Sequence, residues 1–163
     1  MGKRIGMARV EALLENLDRE INMKSSQILS KTAVISSSAA LTLNASSSGA
    51  VVLLGPKQTV TLPTAAAGLT YKVICVEDIA GNASTVTTNG SGDFFAGSVH
   101  NLIGLNGDTL SHANGSSNDV ITFGTNCDMG DYVEIVALNG TLWHVVGSCS
   151  GSASANGIKF SDS

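Results

Sequence analysis

The side chains of this sequence best suited to chemistry are three cysteines and three histidines, and none stands at a spacing that chemistry demands. Cys75, Cys127 and Cys149 share no C-x-x-C step, and an odd number of thiols makes no self-contained disulfide framework, so neither a zinc site nor a set of crosslinks is expected. Cys75 lies in the apolar run Val-Ile-Cys-Val and reads as a small core residue. His100, His112 and His144 each lack a second ligand two or four residues away, which predicts surface or interface histidines rather than a metal centre. Asp93, Asp108, Asp119, Asp128 and Asp131 lie mostly beside Gly or Asn, where a carboxylate sets a turn by bonding nearby backbone, and their offsets do not match a calcium loop. Gly147-Ser148-Cys149-Ser150-Gly151 has the outline of a nucleophile elbow with cysteine at its centre, but the Ser-Ala-Ser-Ala-Asn-Gly that follows supplies no helix to complete the geometry. Gly90-Ser91-Gly92 lacks the third glycine of a dinucleotide fingerprint, and there is no Walker loop. The expectation is a chain that is not an enzyme and that uses no cofactor and no metal.

The elements that position these residues are mostly strands. Asp131 to Gly147 is the clearest: two runs rich in β-branched and aromatic residues flank Asn139-Gly140, a pair that supplies the positive φ values of a tight hairpin turn. Val133, Ile135 and Ala137 alternate with Tyr132, Glu134, Val136 and Leu138, and the return strand carries Trp143, the single tryptophan, with His144 on the opposite face. Further short strands are expected at Ala39–Leu43, Ala50–Leu54, Gln58–Leu62, Thr70–Val76, Ser84–Thr88, Asp93–Phe95, Val99–Leu102 and Val120–Phe123, between turns such as Gly55-Pro56, Ala80-Gly81-Asn82 and Asn114-Gly115. Asn101 to Asn118 reads as a long loop or hairpin tip. Many short strands punctuated in this way predict a mainly β fold, an antiparallel β-sandwich or compact barrel.

From about Ile5 to Ile28 the period changes. Met7, Val10, Leu14, Leu17, Ile21 and Ile28 follow three- and four-residue steps, interrupted at Lys24, which predicts one N-terminal amphipathic α-helix. Its apolar stripe is narrow, and a lone helix of that length is marginal in water, so the stripe must be buried on something. The expected organisation is an N-terminal helical anchor over 1–30, a Ser-rich connector over 31–48, a β-sandwich body over 49–149 and a flexible C-terminal tail over 150–163.

Charge sorts the same way. Charged residues are 13% of the chain, about half the usual share. Residues 1–31 carry a local net charge of +2 and the remainder −6. Nucleic acid is therefore not an expected partner, because phosphate binding needs clustered Lys or Arg. No apolar run reaches membrane-spanning length and no cleavable leader is evident, so synthesis in the cytoplasm and no membrane partner are expected.

Several segments together resemble a known family. Gln58-Thr59-Val60-Thr61-Leu62-Pro63, Ala65-Ala66-Ala67-Gly68-Leu69-Thr70-Tyr71-Lys72-Val73, Gly130-Asp131-Tyr132-Val133-Glu134-Ile135 and Asn139-Gly140-Thr141-Leu142-Trp143-His144-Val145-Val146 are similar to the β-rich modules of tailed-bacteriophage virion proteins, among them head decoration proteins, capsid fibres and tail-fibre domains. The N-terminal KRIGMARVEALLENLDREI resembles the opening of structural proteins of marine phages, cyanophages included. The resemblance implies a non-enzymatic, homotrimeric building block at the capsid surface of the virion, whose partners are itself and the major capsid protein. On that reading Arg4, Met7, Arg9, Val10, Leu14, Leu17 and Ile21 anchor the chain to the capsid lattice, and Val133, Ile135, Trp143 and Val145 are core or trimer-interface residues. The alternative it leaves open is a tail-fibre or capsid-fibre adhesion module that binds a host-surface glycan.

Overall fold

A computed structural model describes residues 11, 15, 32–90, 92–102, 108–150 and 156–163. The chain divides into two units, Met1–Thr32 and Ala33–Ser163. Apart from positions 11 and 15, the helix expected over residues 5–28 lies outside the described residues, as do Arg4, Met7, Arg9, Val10, Leu14, Leu17 and Ile21.

The second unit is mainly β. Its strands are β1 (Val34–Ser36), β2 (Ala40–Thr42), β3 (Ala50–Leu54), β4 (Thr59–Thr61), β5 (Thr70–Cys75), β6 (Ser84–Thr87), β7 (Phe94–Asn101), β8 (Thr109–Asn114), β9 (Val120–Phe123), β10 (Tyr132–Ala137), β11 (Leu142–Cys149) and β12 (Ile158–Ser161). They form a seven-stranded sheet in the order β1-β3-β5-β10-β11-β7-β8 and a five-stranded sheet in the order β12-β9-β6-β4-β2. Burial alternates along most strands with the period of two that a pleated chain imposes, as in β3 and β5. The buried positions of both sheets, from Val52, Val73 and Trp143 to Val60, Val86 and Ile121, belong to a single apolar cluster.

The first six strands alternate between the two sheets. Each return to a sheet therefore runs in the same direction as before, and β1, β3 and β5 pair in parallel, as do β2, β4 and β6. This corrects the antiparallel expectation: both sheets are mixed, and β7 also lies parallel to β11. That expectation assumes that neighbours in sequence are neighbours in a ladder, whereas the short links here carry the chain across to the opposite sheet. Among the described residues, antiparallel pairing is confined to β5–β10, β10–β11, β7–β8, β6–β9 and β9–β12.

Other expectations also change. Residues 31–48, expected as a connector with one short strand at Ala39–Leu43, contain β2 within that span and in addition β1 and a 3-10 turn at Ala45–Ser47 that Asn44 caps. Residues 150–163, expected as a flexible tail, contain β12, whose Ile158 is fully buried. The segment expected as a long loop or hairpin tip between Asn101 and Asn118 holds β8, paired antiparallel along its length with β7. β7 itself is one strand where two fragments were expected, because Gly97 takes φ +133 at the point where a Cβ would overlap the Val145 carbonyl of β11. The β10–β11 hairpin is present, but neither Asn139 nor Gly140 adopts positive φ. The turn is closed instead by the Asn139 side chain, whose Oδ1 accepts from the Thr141 and Leu142 backbone N–H groups at 2.9 Å each.

Side-chain hydrogen bonds join the two sheets. Asn101, at the end of β7 and buried, donates from Nδ2 to the Ile158 carbonyl at 3.2 Å, and its Oδ1 accepts from the Ile158 N–H at 2.8 Å. Ser111 of β8 adds a hydroxyl bond to the same carbonyl at 2.6 Å. Replacing Asn101 by Ala leaves the buried Ile158 N–H unpaired, which costs about 1–3 kcal/mol. The expected readout is accelerated amide exchange at β12 with protection of β10 and β11 retained; unchanged exchange at Ile158 contradicts the bridging role.

Val133, Ile135, Trp143 and Val145 all lie in the core, each 0% exposed. The Trp143 ring sits 6.1 Å from that of Tyr71 in a tilted arrangement. Its buried Nε1 has no hydrogen-bond partner. Trp143→Ala is expected to lower the unfolding free energy by about 3–5 kcal/mol, and Trp143→Phe by less, since it also deletes an unmet donor. Denaturant titration of the two variants separates the contributions, and equal losses would show that the indole nitrogen carries stability.

Candidate functional site

With the core filled, the surfaces open to a partner are the outer faces of the two sheets. On the seven-stranded sheet the register sets Val34, Val51, Lys72, Glu134, Val146, Ser98 and His112 side by side in one outward row. The adjacent row runs Ser36, Leu53, Ile74, Tyr132, Ser148, His100 and Leu110. Val34, Val146 and Leu110 are 62%, 43% and 56% exposed on this face, an unusual share for β-branched and leucine side chains at sheet positions. Its centre holds one ion pair: Lys72 Nζ donates to Glu134 Oε1 at 2.8 Å and lies 4.5 Å from the centroid of the Tyr132 ring. The hydrogen bond to Glu134 holds the Lys72 ammonium above its ordinary pKa. A cleft of about 170 Å³ beside the pair, lined by Gly49, Thr70, Lys72 and Glu134, is smaller than the roughly 300–1,000 Å³ of sites that enclose a drug-sized ligand.

The five-stranded sheet presents hydroxyls. Its outward rows are Ala40, Thr59, Thr85, Thr122 and Lys159, and Thr42, Thr61, Thr87, Val120 and Ser161. Across the parallel pair β4–β6 the threonines bond to one another, Thr85 to Thr59 at 3.2 Å and Thr87 to Thr61 at 3.4 Å. At the rim of this sheet a cleft of about 370 Å³ is lined by Thr87, Thr88, Gly90, Asp119, Val120 and Ser163. There the Asp119 carboxylate accepts from the Ser163 N–H and hydroxyl.

The residues singled out for chemistry separate into two groups. His100, His112 and His144 all stand exposed on the outer face of the seven-stranded sheet, on β7, β8 and β11. The three cysteines are all buried. Cys149 ends β11 inside the core, so the elbow-like sequence around it presents no nucleophile. Among the described residues, Cys127, Asp131 and Cys149 bring potential ligand atoms within 4.8 Å of one another, and no histidine belongs to the group. This convergence is invisible in the spacing of the cysteines, because β9, a loop and the β10–β11 hairpin are needed to produce it. The Asp131 carboxylate is already engaged: Oδ1 accepts from the Ser150 N–H and hydroxyl at 2.7 Å each, and Oδ2 from the Asp128 N–H at 2.9 Å. Asp93, also buried, likewise receives the Ala65 N–H at 2.9 Å. Both carboxylates organise loops.

No protein-family model matches this chain, and no curated protein matches it.

Burial, with the nearby Asp131 charge adding to it, pushes the Cys75 thiol from its ordinary 9.0 up to about 12. An unfolded chain releases that proton above pH 9.0 while the folded one keeps it to about 12, so stability is full below pH 9.0 and falls as the pH rises through that window. The denaturation midpoint is expected to decline across it, and Cys75→Ala to flatten part of the decline. A slope identical in Cys75→Ala assigns the alkaline loss to other groups.

Proposed function

We propose that this chain is a non-enzymatic structural protein of a tailed-bacteriophage virion, a decoration or cement protein that binds the assembled major capsid lattice as a homotrimer and stabilises the head. In this reading the two sheets form a β-sandwich body, and residues 1–30 form an amphipathic helix that anchors it through Arg4, Met7, Arg9, Val10, Leu14, Leu17 and Ile21. The observation that supports it most is the outer face of the seven-stranded sheet, where Val34, Val146 and Leu110 stay exposed around a single ion pair. Such a face favours burial against protein over hydration. Three of the segments that resemble virion modules are also structural neighbours: the AAAG segment leads into β5, and β5, β10 and β11 lie side by side, while the Thr59–Thr61 segment is β4 of the other sheet. A partner that binds only the assembled shell stabilises it by mass action, with no catalytic group needed.

Adhesion to a glycan gains little support from the aromatic residues. Trp143 and Phe95 are fully buried, and Tyr132 is covered by Lys72, so sugar-stacking platforms are scarce on the described surface. The test is the place of the chain in a purified particle. Many copies spread over the head are expected, together with loss of shell binding in a Leu14→Glu, Leu17→Glu variant whose β-body remains folded. A few copies confined to the tail select the adhesion reading, and absence from particles ends both.

A further inference from the structure

The fold brings together two thiols that the sequence keeps far apart. Cys127 lies in the loop between β9 and β10, Cys149 closes β11, both are fully buried, and their sulfurs are 3.5 Å apart. The loop is held on every side. The Cys127 N–H donates to the Gly124 carbonyl, the Ile79 N–H to the Cys127 carbonyl, and the Asn126 N–H to the Asn156 carbonyl. Cys149 is fixed as firmly, since its carbonyl accepts from the Leu102 N–H and its Sγ lies 3.4 Å from where a Cβ on Gly157 would stand. Two sulfurs in contact beside a carboxylate suggest either a metal site or a dithiol. A structural zinc ion takes four donors. The described residues supply three within reach, and one of these, Asp131, already accepts three hydrogen bonds.

We propose that Cys127 and Cys149 are a redox staple: an intramolecular disulfide forms between them under oxidising conditions and ties the β9–β10 loop to the end of β11. The oxidant is a small-molecule disulfide such as glutathione disulfide. One cysteine thiolate attacks it and expels one glutathione thiolate. The second cysteine then attacks the protein sulfur of that mixed disulfide and expels the other. In sum two S–H bonds are lost, one S–S bond is formed, and the oxidant is reduced to two glutathione thiols. From 3.5 Å the sulfurs close by about 1.5 Å to reach bonding distance. The hydrogen bond to Cys149, and then burial, hold the Cys127 thiol well above its ordinary pKa, so exchange proceeds through transient opening of the loop. The same burial shields the finished bond from reductant. Cys75, on β5, stays a thiol. The inference does not rest on the virion reading.

The test is equilibration of the full-length chain with glutathione mixtures of rising disulfide content, both natively and during refolding, followed by thiol alkylation and peptide mass mapping. A Cys127–Cys149 linkage that lacks two hydrogens is expected, with Cys75 alkylated only after unfolding. The thermal midpoint is expected to rise by roughly 5–10 °C, with the rise kept in Cys75→Ala and lost in Cys127→Ser. Linkage through Cys75, glutathione adducts or interchain bonds alone, no linkage even on refolding, or a lowered midpoint each overturn the proposal. So does one zinc ion held per reduced chain and released by thiol alkylation, which makes the cluster a metal site instead.

Discussion

The double hydrogen bond between the Asn101 side chain and the Ile158 backbone is the contact on which the closure of this fold depends. A primary amide offers a donor and an acceptor in the arrangement that a peptide unit offers its ladder partner, so Asn101 extends pairing from the seven-stranded sheet onto β12 of the other. Without it, the last strand would have to bury an N–H with no acceptor. The opposite edges of the two sheets, β1 and β2, are only three residues each, short enough to blunt the hazard of an open edge. One end of the body is stitched by polar bonds, and the other ends in two short strands.

This arrangement explains why groups that sound chemical in the sequence are architectural in the molecule. Asp93, Asp131, Asn101 and Ser84 are buried, and each meets backbone N–H or C=O groups that loops leave unpaired. The thiols fill core positions. What remains outward is a threonine-rich face on one sheet and a histidine-bearing, partly apolar face on the other, with few charges on either. Surfaces of that kind recognise by shape and burial more than by ion pairing.

The strand content was legible because β-branched residues alternate where burial alternates. β3 and β9 begin and end at the residues that pattern marks. β8 escaped because Thr109-Leu110-Ser111-His112-Ala113-Asn114 turns its larger apolar residue, Leu110, to solvent and only Ala113 fully into the core. β12 escaped because one buried isoleucine after a run of Ser and Ala is a weak local signal, and its place is set by Asn101 far upstream. Direction within the sheets was illegible for a different reason. Local turn chemistry fixes a hairpin, as Asn139 does, but nothing local states that the link from β1 to β2 changes sheets.

Two of the cysteines, too, meet through the fold and not through local spacing. A metal or disulfide motif is legible when its ligands share one short loop, because spacing then stands in for distance. Cys127 and Cys149 meet only because β10 and β11 fold back and because Gly157, without a Cβ, lets the chain before β12 lie against both Asn101 and Cys149. The thiol contact and the amide bridge are therefore parts of one corner. Leu102, next to Asn101, donates its N–H to the carbonyl of Cys149, and Asn101 and Cys149 are register partners across β7 and β11. A covalent bond there would reinforce the fold where its two sheets are joined through side-chain hydrogen bonds.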